Sequence, residues 1–410
     1  MAKKPPAKAA TKTAAKKVEK YETIDALVAG CNSKSAGAIQ YGAGTFVPVE
    51  AISTGLANVD TIVGCLGIPR KRIVEVFGNE SSGKTTLCLQ CAAACQAQGG
   101  VVAFIDAEHA IDPDWARKNG VNVEKLLLSQ PDSGDQAFTM IELMVVSGLI
   151  DMVIIDSIAA LVPKEELEGE SGSVQIGAQA RMIGKALRKL VSKCGKSKAT
   201  VIFINQLRDV VGGFQGGFTK PEMTPGGRAL KFYASLRIQL RKAETLRQNE
   251  QPYAQVANVK IVKNKVAPPF RSTTIEIHFG AEFLGDDALV GVDKAHALMQ
   301  AATDTDVIEV RGSNYYLGDV KLGIGKDKTL SNLRENPDMF KAVYEAVYAA
   351  VRAKVSQPAV VAVETDSKAD DDKVDEGDDA MLTDPNLDDG DSEQPKDTGG
   401  GDGSQYLDND

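Results

Sequence analysis

Three runs of the chain are apolar without interruption: Val101–Ile105, Met152–Ile155 and Val201–Ile204. A fourth, Ile73–Phe77, is broken only by Glu75. Strands buried on both faces of a parallel sheet have this pattern, whereas half-buried strands alternate. Helical stretches lie between them, an Ala-rich one from Thr86 to Ala94 and another from Ala180 to Ser192. Buried strands alternating with helices predict an α/β doubly wound sheet, which binds ligands outside the carboxyl ends of its strands. More strands are expected at 235–240, 256–262 and 273–279. Past Phe283 the composition shifts. Tyr315-Tyr316, several glycines and a final helical stretch from Met339 to Ala353 predict a small separate α+β domain. Near the start, Ile24, Leu27 and Val28 share one helical face, and 38–41 has the look of a short strand. That pair is too small to bury a core of its own, so it is expected to fold back or to dock on another subunit.

Composition adds an uneven charge. The 410 residues carry a net charge of −9. From Glu364 to the end there are 18 acidic residues and 3 lysines, while the first 20 residues hold 7 lysines and 1 Glu. A near-neutral body therefore carries a basic arm and an acidic tail, both expected to be disordered. A flexible basic arm suits contact with nucleic acid. The chain has no apolar run of about 18 residues, so no membrane span is expected. Cys88, Cys91 and Cys95 fall at helical spacing and read as small apolar groups on one buried face. With no secretion signal, a reducing cytoplasmic setting follows.

The candidate chemistry gathers around Gly78-Asn79-Glu80-Ser81-Ser82-Gly83-Lys84-Thr85, set between the Ile73–Phe77 strand and the helix that continues from Thr86. Strand, glycine-bounded loop and helix form the context of a phosphate-binding loop. Gly78 and Gly83 let backbone N–H groups turn inward toward an anion, and the helix N-terminus adds partial positive charge. Lys84 supplies a point charge for terminal phosphates, and the Thr85 hydroxyl can ligate Mg²⁺. Asp156 ends a neighbouring strand and is the expected partner of that ion, holding it through water. Glu108, in Asp106-Ala107-Glu108-His109 at the end of another strand, is the candidate base for an attacking water. Two long loops, 168–175 and 209–225, are rich in glycine. Phe214 and Phe218 lie between glycine pairs in the second and could stack on bases. Lys263-Asn264-Lys265, on a turn between strands, reads by itself as a solvated pair.

Over about 21–354 the chain resembles the bacterial-type RecA recombinases. The resemblance rests on Ala51-Ile52-Ser53-Thr54-Gly55, the phosphate loop continued through Thr86-Leu87, and Ala103-Phe104-Ile105-Asp106-Ala107-Glu108-His109-Ala110. It extends to Phe203-Ile204-Asn205-Gln206-Leu207-Arg208, Gly226-Gly227-Arg228-Ala229-Leu230-Lys231-Phe232-Tyr233-Ala234 and Val262-Lys263-Asn264-Lys265. The resemblance implies a RecA-type P-loop ATPase core with a mostly parallel central sheet, an N-terminal helix–strand oligomerisation arm and a small α+β C-terminal domain. The implied divisions are a basic arm (1–20), the oligomerisation helix and strand (21–47), the ATPase core with its DNA loops (48–283), the small domain (284–363) and the acidic tail (364–410).

The implied activity is DNA-dependent ATP hydrolysis coupled to homologous pairing and strand exchange in recombination and repair. ATP and Mg²⁺ are the implied cofactors. Single-stranded DNA, homologous duplex and further copies of the chain in a filament are the implied partners, along with a LexA-type repressor and a single-strand-binding protein. Lys84 and Thr85 would hold the phosphates and the ion, with Asp156 in support, and Glu108 would activate water. Gln206 would sense the terminal phosphate, and Lys263 and Lys265 would act on the nucleotide of an adjacent subunit. Ile176, Arg181 and Arg188 at the first loop, and Arg208, Phe214, Gly226 and Gly227 at the second, would contact DNA. Asp112 and Trp115 would border the nucleotide, with Trp115 standing where the family usually has Tyr. The second loop is about three residues longer than the family pattern and carries Asp209, so either Phe214 or Phe218 could be its wedge. A ring helicase on the same core, a filament that mainly triggers repressor self-cleavage, and a bacterial or phage-encoded origin all remain open at this level.

Overall fold

The computed structural model describes residues 23–34, 49–168, 177–209, 222–223, 228–285 and 288–356. The basic arm, the strand expected at 38–41, most of both glycine-rich loops and the acidic tail lie outside the described residues.

One sheet of nine strands organises the molecule. Its strands in chain order are β1 (Ile73–Gly78), β2 (Val102–Asp106), β3 (Leu127–Ser129), β4 (Met152–Asp156), β5 (Thr200–Gln206), β6 (Leu236–Gln248), β7 (Gln251–Asn264), β8 (Ser272–Phe279) and β9 (Val290–Val292). Their order across the sheet is β9-β8-β7-β6-β1-β5-β4-β2-β3. The six strands from β6 to β3 run parallel, and β7, β8 and β9 extend the sheet as an antiparallel meander. The expected mostly parallel α/β sheet is therefore present. β6 and β7 run well beyond the expected 235–240 and 256–262, pairing as far as Gln248 with Gln251.

Alternation within the apolar runs divides each strand between two cores. Val74, Val76, Phe104, Ile202 and Ile204 pack on one face. Ile73, Ala103, Ile105, Val201 and Phe203 pack on the other. Helix α1 (Lys84–Ala97) covers the first face with Leu87, Cys88, Cys91 and Cys95. All three cysteines are free thiols, in accord with the expected buried helix face. Helices α2 (Gly134–Val146) and α3 (Ala178–Cys194) cover the second, through Phe138 and Ile141 and through Ile183, Leu187 and Leu190. Glu75 is fully buried inside β1, where Asn205 Nδ2 donates to Oε1 at 3.1 Å and Arg237 Nε donates to Oε2. The Arg237 guanidinium also lies 4.4 Å from the centre of the Phe77 ring.

A third core is built mainly from the C-terminal residues. It gathers Leu298, Ile308, Leu322, Leu333, Val343 and Val347 around a three-stranded antiparallel sheet (Ile308–Arg311, Asn314–Leu317, Val320–Ile324), helix α4 (Lys294–Asp304) and the final helix, α5 (Pro337–Ser356). Tyr348 of α5 donates its hydroxyl to Asp60, which also accepts from Ser53 Oγ at 2.5 Å and Thr54 N at 2.8 Å. This buried network ties the last helix to the segment that precedes β1.

Candidate active site

The phosphate loop leaves β1 at Gly78 and enters α1 at Lys84. Two glycines permit the path. A Cβ on Gly78 would stand 2.0 Å from the Leu240 carbonyl oxygen of the next strand. Gly83 has φ +90°, and a Cβ there would meet Ile277 Cδ1 at 2.5 Å. Inside the loop, Lys84 Nζ donates to the Asn79 carbonyl at 2.7 Å and Ser82 Oγ donates to the same oxygen at 2.8 Å. Glu80 and Ser81 are on the exposed side of the turn.

The strand ends converge on this loop. Thr85 Oγ1 donates to Asp156 Oδ2 at 2.6 Å, from the end of β4. Thr86 Oγ1 accepts from Trp115 Nε1 at 3.3 Å. Asp112 caps the short helix carrying that Trp by accepting from the Asp114 and Trp115 amides. Glu108, just past β2, accepts on Oε1 from Gln206 Nε2 at 3.1 Å and from Ser157 Oγ. The peptide between Asp156 and Ser157 is cis. The Leu207 amide donates to the Gly78 carbonyl at 3.1 Å, so the chain leaving β5 is pinned to the start of the phosphate loop.

Burial sets the electrostatics. It lowers the Lys84 ammonium from its ordinary range, against the charges of Asp156 and Glu108. It pushes the Asp156 carboxyl up to about 6, opposed by the Thr85 hydroxyl and reinforced by Glu108. Buried acid, buried ammonium and a hydroxyl at the head of a helix form a site for an anion with its counter-cation.

Lys84, Thr85, Thr86, Asp156, Glu108, Gln206 and Trp115 are thus brought to one end of the sheet. Lys263 and Lys265 are not. Lys263 pairs with Arg237 across β6–β7, while Gly78 pairs with Leu240 across β1–β6. Lys263 is therefore level with Glu75, three residues or roughly 10 Å from the loop end of the sheet at ~3.3 Å per residue, and Lys265, whose amide donates to the Ser235 carbonyl, lies farther toward the opposite end. Lys263 Nζ donates to the carbonyls of Lys231 and Phe232 at 2.6 and 3.0 Å. Burial, with Lys265 and Arg237 nearby, lowers its ammonium from the ordinary range. Arg181 and Arg188 are exposed on α3, seven residues apart. Arg208 begins a two-residue antiparallel pair with 222–223 at the base of the second loop. Ile176, Phe214, Gly226 and Gly227 lie outside the described residues.

Sequence reasoning alone does not single out Ser157, which holds Glu108, or Asp106, which accepts from the Ala110 and Ile111 amides and from Gln130 Nε2. The Glu75–Asn205–Arg237 network does leave a signal, a carboxylate inside an otherwise apolar strand.

Comparison with known proteins shows the family. Residues 31–283 match the RecA N-terminal domain and residues 297–352 the RecA C-terminal domain. The chain is 45% identical over 311 residues to Protein RecA of Clostridioides difficile, covering 76% of this chain and 86% of that protein. It is 45% identical over 309 residues to Protein RecA of Bacillus subtilis, covering 75% and 85%. With Protein RecA of Rhodopirellula baltica it shares 47% over 311 residues, covering 75% and 79%. A match through both domains does not favour a ring helicase. The chain belongs to the RecA family of recombination and DNA-repair proteins.

Proposed function

We propose that this chain is a DNA-dependent ATPase that assembles as a filament on single-stranded DNA, pairs it with homologous duplex and exchanges strands. The observation that carries the reading is the Glu108–Gln206 hydrogen bond. Gln206 ends β5, and two residues later the chain forms the base of the second glycine-rich loop. A change at the terminal phosphate that moves Gln206 is transmitted to that loop through three residues of backbone. Arg208, Phe214, Gly226 and Gly227 there, with Ile176, Arg181 and Arg188 at the first loop, would grip the backbone of DNA without reading base edges.

The donor set fits a magnesium nucleotide. Residues 78–86 would cradle the phosphates, Lys84 and Thr85 would meet the terminal ones, and Asp112 and Trp115 would border the base. Thr85, with Asp156 through water, would hold Mg²⁺, which when bound offsets the charge of the phosphates. Glu108 would take a proton from the attacking water. Its two hydrogen bonds both fall on Oε1, which leaves Oε2 for that water.

Lys263 lies three residues of strand from its own loop, its ammonium held by the Lys231 and Phe232 carbonyls, so Lys263 and Lys265 would serve a neighbour's nucleotide in the manner of an arginine finger. Exposed Phe232 and Phe270 flank them, as suits a surface covered on assembly. At the other edge β3 is unpaired on one side among the described residues, with Leu127 and Leu128 exposed. The expected strand at 38–41 would add there from another subunit. The divisions 1–20, 21–47, 48–283, 284–363 and 364–410 follow from this scheme, as does a cytoplasmic location. No described helix is long and apolar enough to cross a membrane. A LexA-type repressor and a single-strand-binding protein are the proposed protein partners.

The test is a strand-exchange assay with ATP and either homologous or unrelated duplex. Joint molecules should form with the homologous duplex alone. ATP hydrolysis with no joint molecules, but with repressor self-cleavage, would move the reading to a signalling filament.

A further inference from the structure

Two of the chain's three histidines meet two carboxylates where the sheet hands over to the C-terminal core. Glu276 and His278 sit two apart on β8, so their side chains leave the same face. β9 runs antiparallel beside them, with His278 opposite Gly291, and the Asp293 amide donates to the Glu276 carbonyl at 3.0 Å. That register sets Asp293 across from Glu276. Asp293 then caps α4, accepting from the Ala295 and His296 amides, and the cap brings His296 back over the strand. His296 Nε2 ends 3.2 Å from Glu276 Oε1, and His278 Nε2 ends 3.7 Å from Glu276 Oε2. One ligand atom from each of Glu276, His278 and Asp293 lies within 4.8 Å of the other two.

Two features set this group apart from an ordinary ion-pair cluster. First, its imidazoles are underused. His278 Nε2 and His296 Nδ1 are both buried without a hydrogen-bond partner, on side chains that are 9% and 7% exposed. A buried polar atom left unmatched costs about 1–3 kcal/mol, and an ion held by this cluster would remove that cost at His278 Nε2. Second, the carboxylates keep capacity. Asp293 Oδ1 accepts from the Ala295 and His296 amides, and Oδ2 accepts from the Arg334 guanidinium. Oδ2 retains a lone pair after those bonds.

We propose that Glu276, His278 and Asp293 form a divalent-metal site for a borderline ion of the Zn²⁺ class, with His296 positioning Glu276. Imidazole nitrogen with two carboxylates suits such an ion, whereas Mg²⁺ and Ca²⁺ favour all-oxygen shells. The ion would bridge the last two strands of the sheet to the first helix of the C-terminal core. Its role is structural, and it stands apart from the nucleotide site.

The test uses the full chain, stripped with chelator and free of nucleotide, titrated with Zn²⁺ alone and with Co²⁺ alone. Wild type should retain one tightly held ion after gel filtration, melt at a higher temperature with Zn²⁺, and show with Co²⁺ the strong visible absorption of a low-coordinate site containing nitrogen. His278→Gln and Glu276→Gln should each weaken binding at least ~10-fold and lose the absorption, while ATP hydrolysis in Mg²⁺ is retained as the check on folding. His296→Asn should weaken binding less and leave the absorption in place. Equal retention by wild type and both ligand variants would overturn the site and locate the metal elsewhere, as in the acidic tail. Faint Co²⁺ bands of an all-oxygen shell in wild type would overturn it even if a variant failed to fold.

Discussion

Ser157 shows how much of the proposed chemistry rests on a side chain that need not touch the nucleotide. Its hydroxyl and the Gln206 amide both hold Glu108 Oε1. Ser157→Ala should leave the fold intact and lower the ATPase kcat roughly 10-fold, since a misplaced base costs rate before affinity. A fall confined to KM would assign Ser157 to binding. Asp60 poses a different question. Burial pushes its carboxyl from 3.8 up to about 6, against the hydroxyls of Ser53, Thr54 and Tyr348. The folded state therefore keeps a proton that the unfolded chain gives up. This stabilisation is complete below the unfolded value and is lost as pH rises through about 6. The shift corresponds to about 3 kcal/mol. Urea midpoints measured between roughly pH 4.5 and 7.5 should fall more steeply for wild type than for Asp60→Asn. Asp156 titrates in the same direction in both proteins, so the difference isolates Asp60.

At the scale of elements, legibility followed burial. β1, β2, β4 and β5 can be read from the sequence because both of their faces are covered, leaving unbroken apolar runs. The outer half of the β6–β7 hairpin cannot, because 241–248 leaves the core and the exposed Arg241, Lys242, Glu244 and Arg247 erase any period. β3 and β9 are three residues each, too short to show a pattern. The active site was legible where a motif carries its own chemistry, as from Gly78 to Thr85. It was not legible where function depends on strand order, because only the register places Lys263 level with Glu75, well short of the loop end of β1. That placement gives a sharp test. Lys84→Ala should abolish ATP hydrolysis and strand exchange. Lys263→Ala should fold normally, losing at most about 1 kcal/mol with its contacts to the Lys231 and Phe232 carbonyls, yet lose DNA-stimulated hydrolysis. Mixing the two inactive proteins should restore turnover, because some interfaces then unite an intact loop with an intact lysine pair. A mixture as inactive as its parts would show that the lysines do not act across subunits.

For the whole molecule, charge is the property that sequence alone describes best. The last 47 residues carry 18 acidic groups against 3 lysines. An anionic segment of this kind competes with phosphates for basic surface, and salt weakens that competition. Truncation after Val363 should raise affinity for duplex DNA, most at low salt, as measured by fluorescence anisotropy. An unchanged affinity across the salt range would leave the tail a solubilising role only.

The proposed completion of each site by a neighbour's lysines also governs arithmetic. A run of n subunits joined head to tail has n − 1 finished sites, so a monomer has none and a pair has one. Turnover per subunit therefore climbs with the length of the run and levels off, and cutting a long run in two silences one more site. One terminus always presents a loop that waits for lysines, and the other presents lysines with nothing to act on. The ends are chemically unlike, and growth and loss at each can proceed at different rates with no further component.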